Sequence, residues 1–134
     1  MHSPVRTQTD LERFWRAAME PLGFASQSLW VVMLAPDGTP FPHLTQIEEC
    51  DQPPTPEEAA TLAGVLGEVL DEVVPGGRLA LLRSRPGGSA LTSDDRRWAT
   101  ALAEAFVAVG LPAEPVHVAS DADLRPVTAD DLAA

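Results

Sequence analysis

The stretch Leu29-Trp30-Val31-Val32-Met33-Leu34 is apolar at every position. A strand that alternates polar with apolar residues keeps one wet face. An uninterrupted apolar run has no wet face and needs cover on both sides. The segments around it supply that cover. Leu11, Phe14, Trp15, Ala18, Met19 and Leu22 recur at helical spacing and predict an amphipathic helix. Thr9-Asp10-Leu11-Glu12 reads as its capping box, with Pro21 and Gly23 as its stop.

After the apolar run, Pro36-Asp37-Gly38-Thr39 predicts a turn, because Pro presets φ and Gly accepts positive φ. Phe41 to Ile47 then returns as a strand, and Pro40 and Pro42 confine it to an edge. Cys50 to Pro54 is a loop. A second helix starts at Thr55-Pro56-Glu57-Glu58, with a Thr cap, Pro at the first helical position and acids in the first turn. Its predicted buried stripe is Ala59, Leu62, Leu66, Val69, Leu70 and Val73, with Gly64 and Gly67 permitting close packing; Pro75-Gly76-Gly77 stops it. Leu79 to Leu82 is a short central strand, and Arg83 to Gly88 the loop after it. Thr92 and Asp95 form the capping box of a third helix lined by Trp98, Leu102, Ala105, Phe106 and Val109, which Gly110 ends. Pro115 to Ala119 is a third buried strand, and Leu124 onward adds a short strand and a helical turn from Thr128.

The order α-β-β-α-β-α-β predicts one α/β domain, a mixed β-sheet flanked by three helices. Residues 9–134 form that domain, and residues 1–8 are set apart as a disordered N-terminus that includes His2. At 134 residues, 45% of them hydrophobic, the chain is long enough for one modest core.

Composition narrows the function classes. A net charge of −11 disfavours nucleic acid and anionic membranes, which both require a cationic face. The chain has 9 basic residues, all of them Arg, and the richness in Ala, Gly and Pro suggests a bacterial, GC-rich genome. Cys50 stands alone, so no intrachain disulfide forms. With neither an apolar leader nor a run near the ~20 residues of a membrane span, a cytoplasmic location is the expectation. No catalytic residue, metal or cofactor is assigned. His43 with Glu48, Glu49 and Cys50 fits no ligand spacing. The acids flanking Cys50, Glu49 and Asp51, oppose thiolate formation. His117 lies within an apolar strand and reads as a core or sheet-surface residue. Trp15, Trp30 and Trp98 read as core.

One loop carries chemistry. Arg83-Ser84-Arg85-Pro86-Gly87-Gly88 follows a strand and precedes a helix, a usual place for a ligand site. Arg83, Arg85 and the Gly87 and Gly88 amides could hold an anion beside Thr92 at the helix start. Asp94 and Asp95 oppose that, since they already occupy the positive end of the helix. The competing expectation is that Arg83 and Arg85 pair with Asp94 and Asp95 to fix the loop.

From Leu29 to Val109, the order of hairpin, helix, strand, loop and helix resembles the JAB/MPN metalloprotease family, most of all its RadC-like branch, and the resemblance implies a JAB/MPN or cytidine-deaminase-like architecture. That family carries H-x-H-P-x-G after its central strand and S-x-x-D at the next helix start. Its two His and its Asp bind zinc, its Ser supports the oxyanion, and an upstream Glu is the base. Here Arg83-Ser84-Arg85-Pro86-Gly87-Gly88 and Thr92-Ser93-Asp94-Asp95 stand in those places. The spacing between them is one residue shorter, and the Glu position falls near Gln27 or Ser28. A guanidinium stays protonated and does not ligate zinc. The resemblance therefore implies a metal-free pseudoenzyme in which an Arg–Asp ion pair fills the metal site. It further implies a protein-interaction module that binds a protein partner or pairs with itself as a homodimer, with Phe41 to Ile47 as the contact edge. The alternative is an anion or small-molecule binder using the Arg83–Arg85 loop.

Overall fold

A computed structural model describes residues 4–48 and 50–133. Its elements are α1 (Gln8–Met19), β1 (Ser28–Leu34), β2 (Pro40–Ile47), α2 (Pro56–Val73), β3 (Arg78–Ser84), α3 (Ser93–Ala108), β4 (His117–Ala119), β5 (Leu124–Pro126) and α4 (Ala129–Ala133). They build a five-stranded sheet in the order β2-β1-β3-β4-β5. Only β3 and β4 run parallel, joined through α3; the other neighbours are antiparallel. This is the expected mixed α/β architecture.

The apolar run of β1 explains the layering. Leu29, Val31 and Met33 face α2 and α3, where they meet Ala63, Leu70, Trp98, Leu102 and Phe106. Val32 and Leu34 face the other way, into the group formed by Leu11, Trp15 and Met19 of α1. Successive side chains of a strand point to opposite faces, so one strand supplies two cores. Edge strand β2 carries both expected prolines, and its register with β1 shifts between Val32 and Leu34. No helix among the described residues is long and apolar enough to cross a membrane.

Several boundaries differ from the sequence expectation. The capping box of α1 is Thr7 with Asp10, two residues earlier than Thr9 with Glu12. The Asp10 carboxylate reaches back to the Arg6 and Thr7 N–H groups, which secures the earlier start. In the segment expected to be disordered, residues 1–3, and with them His2, lie outside the described residues. Val5 is 2% exposed, and its N–H donates to the Gly38 carbonyl at 2.7 Å. An apolar anchor and a backbone bond hold this stretch. In α2 the packed positions are Ala59, Ala63 and Leu70, with Leu62 and Leu66 half-buried. That seating turns Val69 and Val73 to the exposed flank. Val109 caps α3 and is exposed as well. A Cβ at Gly67 would touch only Leu111, at an ordinary 3.8 Å, and one at Gly64 nothing within 4 Å, so neither glycine is required for close packing.

Candidate functional site

β3 runs past the expected Leu82 to Ser84. Its backbone is paired on both sides there: Arg83 and Ser84 align with Leu29 and Ser28 of β1 and with Val118 and Ala119 of β4. Arg83 is thus a strand residue, not a loop residue. Alternation puts it on the same face as Leu79 and Leu81, toward α3. Ser84 takes the opposite face, where its hydroxyl accepts from the Trp30 indole at 2.9 Å.

The Thr92–Asp95 capping box of α3 forms as expected. It sets the Asp95 carboxylate beside Arg83 and Arg85. Arg83 Nε donates to Asp95 Oδ1 at 3.0 Å. Arg85 Nη2 donates to Oδ2 at 2.8 Å, and its Nε lies 2.9 and 3.0 Å from the two oxygens. The Thr92 N–H adds a bond to Oδ2 at 2.8 Å. Exposure is 2% for Arg83, 5% for Arg85 and 0% for Asp95. Asp94 sits outside this group, within 4.0 Å of exposed Arg97.

The other donors of the guanidinium groups also find acceptors. Arg85 Nη1 donates to the Pro86 and Gly88 carbonyls, each at 3.0 Å, and Nη2 to the Ala90 carbonyl at 2.9 Å. All five N–H groups of Arg85 are thereby engaged within the protein. Arg83 Nη1 donates to the Cys50 carbonyl at 3.2 Å, and Nη2 to Gln27 Oε1. The Trp98 ring lies 5.6 Å from the Arg83 guanidinium carbon and adds a cation–π contact. The Gly87 N–H donates to Asp121 Oδ2 at 2.9 Å, and Gly87 has a φ of +104°. A Cβ at Gly88 would meet nothing within 4 Å.

Thus Arg83, Arg85, Thr92 and Asp95 converge, and Gly87 and Gly88 belong to the loop that closes around Arg85. Gln27, near the position the resemblance marks for a base, joins them through Arg83. Cys50, Ala90, Trp98 and Asp121 were not foreseen here. Cys50 and Ala90 contribute main-chain carbonyls, which no residue type announces. Asp121 bonds the N–H groups of both Gly87 and Phe24, across long sequence separations.

The electrostatics follow from burial and bonding. Burial alone would raise the Asp95 carboxyl. The bonds from Arg85, Thr92 and Arg83 outweigh it and hold Asp95 below the usual carboxylate range. Burial pushes the Cys50 thiol up, with Asp51 adding a smaller push, so it is a poor nucleophile. Its Sγ lies 3.2 Å from the Ile47 carbonyl. Glu49 lies outside the described residues. Among those described, no group of three or more His, Cys, Asp and Glu is placed to hold a metal ion.

His117 is 1% exposed, with Nδ1 3.2 Å from the Pro115 carbonyl. Burial depresses its pKa, against weaker raising effects from Pro115, Glu12 and Glu114. The folded state therefore resists a proton that the unfolded chain accepts near pH 6.5. Stability is expected to be insensitive to this group above that pH and to fall below it, by up to about 1.4 kcal/mol per pH unit. Thermal melts between pH 7.5 and 5.5 should show the decline, and His117→Gln should flatten it.

No family model matches the chain, and a search of curated proteins finds no match.

Proposed function

We propose that the chain is a non-catalytic interaction domain, built on a metalloprotease-like α/β plan, whose former metal position holds a permanent ion cluster. The observation that carries this reading is the bonding of Asp95. Both of its oxygens are taken by the guanidinium groups of Arg83 and Arg85, neither of which ligates a metal. The convergence of Gln27, Arg83, Arg85, Thr92 and Asp95, the positions marked by the resemblance, supports it further. The alternative, an anion seated on the Arg83–Arg85 loop, finds no free donor at Arg85 or at the Gly87 amide.

The partner that fits is a second copy. A two-fold interface brings the same patch of both copies together, so like charges gathered on it are held close to one another. Strand β2, Pro-Phe-Pro-His-Leu-Thr-Gln-Ile, contains no Asp, Glu, Arg or Lys in a chain of net charge −11. Its outer side is unpaired among the described residues. Pro40, Pro42 and the register shift guard its first half, which leaves Leu44 to Ile47 open to another strand.

Sedimentation over a micromolar range is expected to give twice the 14.3 kDa chain mass, without stoichiometric zinc in the same sample. Thr45→Lys should return the monomer with the melting temperature nearly unchanged. A strict monomer that forms no complex, or zinc at one per chain, overturns the reading.

A further inference from the structure

A second region, remote from the ion cluster, carries polar groups that the fold does not consume. Helix α1 leaves part of the sheet uncovered, and a groove of about 610 Å³ opens between it and β2. The volume falls within the range of about 300–1,000 Å³ usual for small-molecule sites. Phe14, Ala17 and Ala18 of α1 form one wall; Val32 and Leu44 of the sheet form the floor. Arg13, Asp10 and His43 stand on the rim.

The three rim groups are not equivalent. Asp10 Oδ2 is occupied, accepting the Arg6 and Thr7 N–H groups at 3.0 and 3.2 Å. Arg13 is exposed, with no hydrogen bond to an acceptor and no ion pair within 4 Å among the described residues, although its charge acts on the Asp10 carboxylate of the same rim. Its case is the reverse of Arg85, whose donors are all spent internally. A planar guanidinium with open donors beside an apolar trough is suited to a carboxylate with a hydrophobic tail. A strand-like peptide fits less well here, because Pro4, Pro40 and Pro42 supply no N–H to pair with it.

We infer that the α1–β2 groove binds an amphiphilic carboxylate. Its head sits on Arg13, and its aliphatic or aryl tail lies over Phe14, Val32 and Leu44. This site is separate from the ion cluster and uses the face of β2 rather than its backbone edge, with Leu44 belonging to both, so the effect of Ala18→Trp on the oligomer distinguishes it from the interaction reading.

Calorimetric titration with decanoate and with decan-1-ol tests it, since the two share a tail and differ in charge. Saturable decanoate binding is expected, about tenfold or more tighter than decanol. Arg13→Gln should remove the difference between the two ligands while leaving decanol binding intact. Ala18→Trp, at an exposed helix position, should fill the groove and abolish both. The inference is overturned by absence of saturable decanoate binding, or by a decanoate preference that survives Arg13→Gln. It is equally overturned if Ala18→Trp dissociates a dimer of the unliganded chain, for the occupant would then be a second copy.

Discussion

Replacing Asp95 with Ala is expected to remove about 3–5 kcal/mol of stability. The substitution leaves two guanidinium groups buried with no counter-charge, and a charge held from water without a partner is among the costliest features a fold can contain. Domains of this size have only about 5–15 kcal/mol in total. Urea unfolding of Asp95→Ala should therefore begin at very low denaturant, or the chain should fail to fold. Asp95→Asn, which keeps the shape and some acceptor capacity, should lie between that variant and the unchanged chain. Replacing the whole group with apolar residues, as in Arg83→Met, Arg85→Met and Asp95→Leu together, is expected to restore much of the loss. A cost below about 1 kcal/mol for Asp95→Ala would show that the cluster does not hold the fold.

The same cluster of charges sets an acid limit. Because the Asp95 pKa is depressed in the folded state, its contribution is complete above the unfolded carboxylate value near 3.9. It is lost as pH falls through the lower folded value. This window lies well below the one governed by His117, so the two effects separate in a pH series.

Gly38→Ala should be the second large effect. Gly38 has a φ of +92°, a region that L side chains rarely adopt. A Cβ there would also collide with the Val5 carbonyl oxygen and lie 2.9 Å from the Val5 carbonyl carbon. Neither partner yields easily. The Val5 N–H is bonded to Gly38 O, and Val5 O accepts from Arg78 Nη2 at 2.8 Å. Backbone strain and overpacking together are expected to cost about 2–6 kcal/mol, with the segment before α1 released first. Hydrogen exchange at the Val5 amide would register that release. Gly64→Ala is the matched control. It sits inside α2 with open space around its Cβ, so it should stabilise by about 0.5–1 kcal/mol. If both variants cost the same, the Val5–Gly38 contact is not what restrains this end of the chain.

Much of the plan was legible in advance, and for identifiable reasons. The apolar run of β1 demanded two covered faces, and the structure supplies α1 on one side and α2 with α3 on the other. Pro40 and Pro42 put β2 at an edge because proline cannot complete a central ladder. Thr55 and Thr92 marked helix starts through side-chain chemistry confined to four residues. What failed depended on more distant partners. Thr9 offered as good a local box as Thr7, and the choice between them was settled by the Arg6 and Thr7 amides and the burial of Val5. Val69 and Val73 fit the helical period, but where α2 sits on the sheet decided which residues it covers. The ion cluster was half visible: the Arg and Asp residues announced themselves, while the end of β3, which aims Arg83 inward, depends on β1 and β4.

Three of the acceptors that encircle Arg85 are main-chain carbonyls, those of Pro86, Gly88 and Ala90. A carbonyl is present whatever side chain its residue bears. The wording of the loop can therefore drift among descendants while its grip on the cation persists. Kinship with this chain should be sought in two arginines two positions apart, then a threonine and an aspartate three positions beyond it, rather than in any likeness between them.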